Sequence, residues 1–470
     1  MKLPFKFVLE KRLLQYIAVA TGSLVIICCG LNFGWTSPYL LVLLSEDSPI
    51  PMTADESSWL GIIYLVGGLC GSLFISLIGH LIGRKSILLW LSVPLLASWV
   101  IIALATTLLE LLIARFIAGF CESLTLTSFS MYVSEISDPE IRGFLGTTIT
   151  TNYFLGIMAM NIMGSYLTIK VCSFVCASVP IIHFISFVWT PESPTYLLMK
   201  GDREEAKRNF IALKGGNEVD HHLDIIARSI EEENGTDMSF ISLFRQPNRR
   251  SLLMLVGLRF TQTFSGISAF TIYAQTIFKE GRSTISPLLG TAIFHAVQII
   301  FSLLSSLFVD KLGRRPLLIA STIGAIVTLL AEGSFFFVRD VIKLETSHIS
   351  LLAVVILIMF TCSYSLGLQT IPCFMAAEVF RADLKAYACT VSSVFFFSFG
   401  AMASKYFQFT KDKYGLYFPF WSFAICCVIG LVAIIILVPE TKNKTLEEIQ
   451  TERKSKVLSL SVNEGGRQSN

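Results

Sequence analysis

Apolar runs of about 20 residues recur from one end of the chain to the other, each the length a helix needs to cross a ~30 Å hydrocarbon core. They fall at approximately 14–35, 59–79, 87–107, 109–132, 144–168 and 172–189, and again at 251–278, 288–309, 317–338, 352–376, 387–409 and 417–438. The expected architecture is therefore an all-α integral membrane protein of twelve transmembrane helices in two six-helix bundles, 1–189 and 251–438. A polar linker, 190–250, joins them, and a tail, 439–470, follows. Only 15% of the 470 residues are charged, against roughly 25% in soluble proteins, which excludes a water-soluble enzyme. Within the linker, Asp202 to Leu213 reads as a short amphipathic surface helix with Ala206, Phe210 and Leu213 on one face.

Charge reports topology rather than a ligand. A net charge of +3, spread evenly, gives no basis for nucleic-acid binding. Placing both termini and the linker on one side gathers about 27 of the 37 Lys and Arg residues there, which makes that side the cytosol. The N-x-S/T sequons at Asn234 and Asn443 fall on the same side, where they would go unglycosylated. Lys2, Lys6, Lys11 and Arg12 ahead of an apolar run resemble a signal peptide, but the run continues to about Trp35, too long for a cleaved segment. Most of the eleven cysteines, Cys28, Cys29 and Cys121 among them, lie inside apolar runs without metal-ligand spacing, so they read as packing residues and no metal or cofactor is expected.

The two halves repeat. His80-Leu81-Ile82-Gly83-Arg84-Lys85 after the second span returns as Asp310-Lys311-Leu312-Gly313-Arg314-Arg315 after the eighth. Glu135 with Arg142 after the fourth returns as Glu378 with Lys385 after the tenth, and Pro191-Glu192-Ser193 returns as Pro439-Glu440-Thr441. Three motif pairs in one order, at equivalent loops, indicate a duplicated six-helix unit. Two such bundles rocking about a central site can expose that site to either side in turn.

With these loops, Pro191-Glu192-Ser193-Pro194, Phe264-Ser265-Gly266-Ile267 and the ending Pro439-Glu440-Thr441-Lys442-Asn443-Lys444-Thr445-Leu446-Glu447-Glu448-Ile449, the chain resembles the sugar porter branch of the major facilitator superfamily over about residues 20–450. Thr36-Ser37-Pro38, Ser58-Trp59 and Gly119-Phe120-Cys121 are most similar to the insect facilitated trehalose transporters within it. The resemblance implies the major facilitator fold, a plasma-membrane location, a small-molecule sugar or polyol as partner alongside the lipid bilayer, and no obligate protein partner.

It also implies a cytosolic charge network that pairs when that side closes: Arg84, Lys85, Glu135, Arg142 and Glu192 in the first half, Asp310, Arg314, Arg315, Glu378, Lys385 and Glu440 in the second. Interface ion pairs can latch one state without locking it; the plainer reading is positive-inside charge and helix-end partners. His80, Thr195 and the Lys385-Ala386 pair depart from the family pattern, and a lysine cannot reproduce the bidentate fork of an arginine, so the gating balance should be altered.

A sugar site needs uncharged groups that both donate and accept, plus an apolar face. The resemblance places Gln262, Thr263, Ser268, Gln298 and Thr150 at sugar-contact positions, with Asn32 on span 1 facing the same cavity. Gln369-Thr370-Ile371-Pro372-Cys373 stands where the family has Gly-Pro-Ile-Pro-Trp, so Cys373 replaces the stacking tryptophan, and Phe396-Phe397 replaces Asn-Trp. For each polar side chain the alternative is a bond to its own helix or to a neighbour. Asn32 also aligns with a carboxylic acid in proton-coupled relatives, and an amide cannot carry a proton in the physiological range.

Facilitated uniport of a sugar is thus the favoured function. A proton-coupled symporter using Glu122 or His295, and a non-transporting sensor with a degraded site, remain as alternatives. No nucleophile–base, metal or phosphate-loop constellation suggests an enzyme. Glu122 and Arg259, at similar depth on spans 4 and 7, are read as a cross-half ion pair closing the inner gate; the alternative is that each meets water or another partner.

Overall fold

The structure is a computed structural model that describes residues 5–79, 81–215, 219–234, 240–244, 248–281, 285–344, 350–380 and 382–440. The first half comprises α1 (Phe5–Gly34), α2 (Thr36–Leu43), α3 (Ala54–Ile78), α4 (Arg84–Leu104), α5 (Leu108–Ile136), α6 (Pro139–Tyr166) and α7 (Ile169–Phe187). The intervening stretch carries α8 (Pro194–Met199), α9 (Arg203–Lys214) and α10 (Val219–Asn234). The second half comprises α11 (Asn248–Thr263), α12 (Ile267–Ile272), α13 (Ala274–Glu280), α14 (Pro287–Leu312), α15 (Arg314–Asp340), α16 (Ser350–Leu366), α17 (Ile371–Val379), α18 (Ala382–Tyr414) and α19 (Tyr417–Leu437). Taking α1–α2, α11–α13 and α16–α17 as broken rods gives twelve spans, six in each half.

The breaks have local causes. Pro38 has no N–H to give the carbonyl of Gly34, and α1 stops there before α2 resumes at Thr36. Gly266, in the left-handed region at φ +89°, divides α11 from α12, and a Cβ on it would lie 2.7 Å from Phe270. Pro372 opens α17 after the turn at 367–370. Nine helical stretches among the described residues are long and apolar enough to cross a membrane. Those that fall short are α5, α6 and α11–α13, which carry Arg115, Glu122, Tyr153 and Arg259.

Close approach is built from small residues. Gly67 and Gly71 on α3 lie against the carbonyls of Phe116 and Phe120 on α5, and Gly119 lies against the carbonyl of Tyr64 in return, so no side chain fits at any of the three. Along its other side α3 meets α18 of the second half, with Gly68 under the Phe397 ring. In α9, Ala206, Phe210 and Leu213 are buried, the face expected from the sequence. Two ion pairs, Lys207–Asp220 at 2.8 Å and Arg203–Asp224 at 2.6 Å, tie α9 to α10; the first holds the Asp220 carboxyl below the usual carboxylate range.

The hydrogen bonds described between the halves gather at the end opposite the Gly-Arg loops. Lys405 on α18 reaches Asp55 at 2.7 Å and Ser58 at 2.9 Å, and its ammonium sits 4.9 Å from the centre of the Trp59 ring. Gln275 on α13 donates three times there, from its backbone N–H to Ser37 Oγ at 3.2 Å and from its amide to Ser165 Oγ at 2.9 Å and the Asn161 carbonyl at 3.4 Å.

Candidate functional site

At the Gly-Arg end, both halves use one device. The carboxylate of Glu192 accepts from the backbone N–H groups of Lys85 at 3.0 Å and Ser86 at 3.3 Å, at the start of α4. Glu440 does the same for Arg314 and Arg315, each at 3.1 Å, at the start of α15. A carboxylate on the exposed amides at the positive end of a helix is favourable by both hydrogen bonding and dipole. Arg84 adds an ion pair to Glu135 at 3.2 Å, and Ser193 donates a short bond to the same carboxylate. Lys85 thus contributes its backbone. Arg142 bonds the Ser137 carbonyl at 3.3 Å, and Arg315 the Ile435 carbonyl at 2.7 Å. The side chains of Asp310, Glu378 and Lys385 lie outside those described.

At mid-height of the second half, a chain of hydrogen bonds crosses four spans. Ser392 on α18 accepts from Arg259 Nε at 2.6 Å, Arg259 Nη1 donates to Gln262 Oε1 at 2.6 Å, and Gln262 Nε2 donates to the Gln369 carbonyl at 3.0 Å. That carbonyl is open to a side chain because α16 ends before it and Cys373 turns its own N–H to Thr370 at 3.2 Å. The Gln369 side chain continues the chain: its Oε1 accepts from Gln298 Nε2 at 3.2 Å and Ser365 at 3.0 Å, and Gln298 Oε1 meets His295 Nδ1 at 3.1 Å. Cys373, exposed, lies 3.5 Å from Arg259 Nη1. Gln262, Gln298 and Cys373 are therefore brought into one network, whereas Thr263 bonds the Arg259 carbonyl of its own helix at 2.7 Å. Ser268 is buried nearer the Lys405 end, close to Gly400.

The first half holds a second buried cluster. Asn32 donates to its own helix, at the Cys28 carbonyl, 3.1 Å away, and Thr150 sits half-buried on α6. Arg115, fully buried, donates to the Leu60 carbonyl at 3.3 Å, to Thr36 Oγ1 at 3.0 Å and, by a short bond, to the Asn32 carbonyl, which also accepts from the Trp35 N–H at 3.3 Å at the end of α1. Its guanidinium lies 4.4 Å from the Tyr64 ring centre and 5.5 Å from that of Trp35. Glu122, on the same helix, accepts from the Tyr153 hydroxyl at 2.7 Å, and its second oxygen has no hydrogen-bond partner among the described residues.

Glu122 and Arg259 do not form an ion pair in this structure; Tyr153 holds the first, and Ser392 and Gln262 hold the second. Their shared depth on two helices left the facing directions open. Two residues were missed. Arg115 is marked by a basic side chain in the middle of an apolar run, and Gln369 by an amide just before the proline that restarts a helix.

The family model described as Sugar (and other) transporter matches residues 18–452. The chain belongs to that family. The facilitated trehalose transporter Tret1 of Culex quinquefasciatus is 31% identical over 454 residues, covering 96% of this chain and 87% of that protein. The Tret1 of Drosophila willistoni is 31% identical over 458 residues, covering 96% of this chain and 52% of the relative, so the chain spans about half the length of the Drosophila protein it matches. Among solved structures, the major facilitator superfamily proton:xylose symporter XylE bound to 6-bromo-6-deoxy-D-glucose superposes with a TM-score of 0.73 at 21% identity, covering 92% of this chain and 98% of that one. The fold is the major facilitator fold, and family members act as transporters rather than enzymes.

Proposed function

We propose that the protein is a facilitative uniporter of a sugar or polyol, working by alternating access at a site between its two halves. The observation that carries this reading is the clasp of Lys405 and Gln275 at one end, over a polar chain held at mid-height. A site gated from the ends and lined by amides is what two rocking bundles need. The relatives named facilitated trehalose transporters make trehalose, with glucose, the first substrates to try. Gln262, Gln298 and Cys373 would face the substrate directly from the second half, with Asn32, Thr150, Thr263 and Ser268 around them. Residues 190–250 and the tail would lie in the cytosol, below a plasma membrane, and the Gly-Arg end with its glutamate caps would form the cytosolic gate.

Uniport is supported by Asn32, whose amide is engaged on its own helix and cannot take up and release a proton in the physiological range. The second reading, proton-coupled symport, is favoured by one observation, the unpartnered oxygen of buried Glu122. Counterflow of labelled glucose, trehalose and polyols in proteoliposomes, with and without an imposed pH gradient, tests both. Saturable exchange indifferent to the gradient supports uniport, gradient-driven accumulation supports symport, and no exchange of any sugar by folded protein rejects transport.

A further inference from the structure

Arg259 is a buried cation whose partners among the described residues are all neutral. Nε is on Ser392 Oγ, Nη1 is on Gln262 Oε1 and, at 3.5 Å, Cys373 Sγ, and the guanidinium lies 5.4 Å from the centre of the Phe396 ring. Among the described residues no carboxylate oxygen comes within 4 Å of it. Among the described residues Nη2 takes no partner, and it is not among the sealed, unpartnered atoms, so the 7% exposure of the residue includes that nitrogen. A desolvated charge is costly when only dipoles answer it, and ionisable groups inside a membrane bundle meet an opposite charge, water or a charged ligand.

Beside Arg259 the group left open is a donor, its own Nη2, while farther along the chain Gln369 Nε2 and His295 Nε2 are buried without a partner among the described residues. Gln262 Oε1 is taken by Arg259 itself and Gln262 Nε2 by the Gln369 carbonyl. Each hydroxyl of a neutral sugar both donates and accepts, and a guanidinium answers only its accepting side. A carboxylate only accepts, and it matches the guanidinium fork with two parallel bonds. Cys373 Sγ, a weak acceptor and the longest of the three contacts, is the one such an anion would displace from Nη1.

We propose that the central site takes a monoanionic sugar or polyol, a uronate or an aldonate, with its carboxylate on Nη2 and Nη1 of Arg259. The inference rests on reading the cavity as the sugar site, and binding and flux are therefore measured separately. Thermal stability of the purified full chain, titrated with sodium glucuronate, glucuronamide, glucose and trehalose, reads binding; counterflow of labelled glucuronate and glucose in proteoliposomes reads transport.

The expected result is that glucuronate binds about tenfold or more tightly than glucose and than its neutral amide. Arg259→Gln should remove that preference, and Arg259→Lys should keep the preference at reduced affinity, because an ammonium supplies the charge without the fork. Equal or tighter binding of the neutral sugars by the wild-type chain, or a glucuronate preference that survives Arg259→Gln, overturns the proposal. The comparison with glucuronamide decides the matter in the wild-type chain even where the glutamine variant does not fold. Glucuronate preference without flux of any sugar would reject the transporter reading and sustain the anion site; glucose flux without glucuronate binding would do the reverse.

Discussion

Glu192 and Glu440 occupy the same place in the two halves, each with its carboxylate across two backbone N–H groups that open the helix after a Gly-Arg loop. The glycine beside each is part of the fit. A Cβ on Gly83 would run into the Glu192 carboxylate, and one on Gly313 would lie 2.8 Å from that of Glu440. Sequence duplication is thereby expressed as duplicated chemistry.

Gly83→Ala should destabilise the protein by displacing that carboxylate, at a cost of ~1 kcal/mol or more, comparable with losing a helix cap. Gly143→Ala, where a Cβ would find nothing within 4 Å, serves as the control and should be near neutral. Thermal unfolding in detergent compares them directly, and equal melting temperatures would remove the glutamate from its capping role.

Gln262 and Thr263 are neighbours with opposite expectations. Gln262→Leu leaves the Arg259 guanidinium and the Gln369 carbonyl without their partner, and substrate affinity should fall about tenfold or more. Thr263→Val removes only a bond to its own helix and should change affinity by no more than about twofold. Concentration dependence of counterflow separates the two; parity between them would contradict the network.

Asn32→Asp places a carboxyl beside the backbone carbonyl that Arg115 holds. Uptake by this variant should become sensitive to an imposed proton gradient, while the wild-type chain stays indifferent. Fluorescent pH recording inside the vesicles during sugar uptake would detect the proton movement, and its presence in wild type would favour symport.

Lys405→Met removes the contacts to Asp55 and Ser58 at one end. Partly exposed ion pairs contribute about 0–1 kcal/mol, so the closed arrangement at that end should lose population by up to about fivefold rather than vanish. Labelling of Ser57→Cys, buried beside the clasp but outside it, by a membrane-impermeant thiol reagent should accelerate in the lysine variant, with no acceleration expected if the clasp is incidental.

The twelve spans were legible because hydrocarbon thickness imposes a length that composition alone reveals. Breaks at Pro38 and Gly266 were not read from the continuous apolar runs, although one residue lacks a donor and the other tolerates a positive φ. The interior of the site was less legible than the spans. Depth along a helix can be counted from the sequence, but azimuth depends on how neighbouring helices pack, and that is why Glu122 faces Tyr153 rather than Arg259. Gln369 acquired its central place from a helix break that frees its carbonyl, a relation between α16, α17 and α11 that no single segment contains.

The bend at the end of α1 and the arginine buried beside it are mutually dependent. Were α1 to run straight through Thr36, the amide of that residue would take the Asn32 carbonyl in place of the Trp35 N–H, and the guanidinium of Arg115 would have to share or leave that oxygen. A proline-to-alanine change at position 38 would then act at a distance, on a charge in a different helix, and the two sites should be lost or kept together in functional variants.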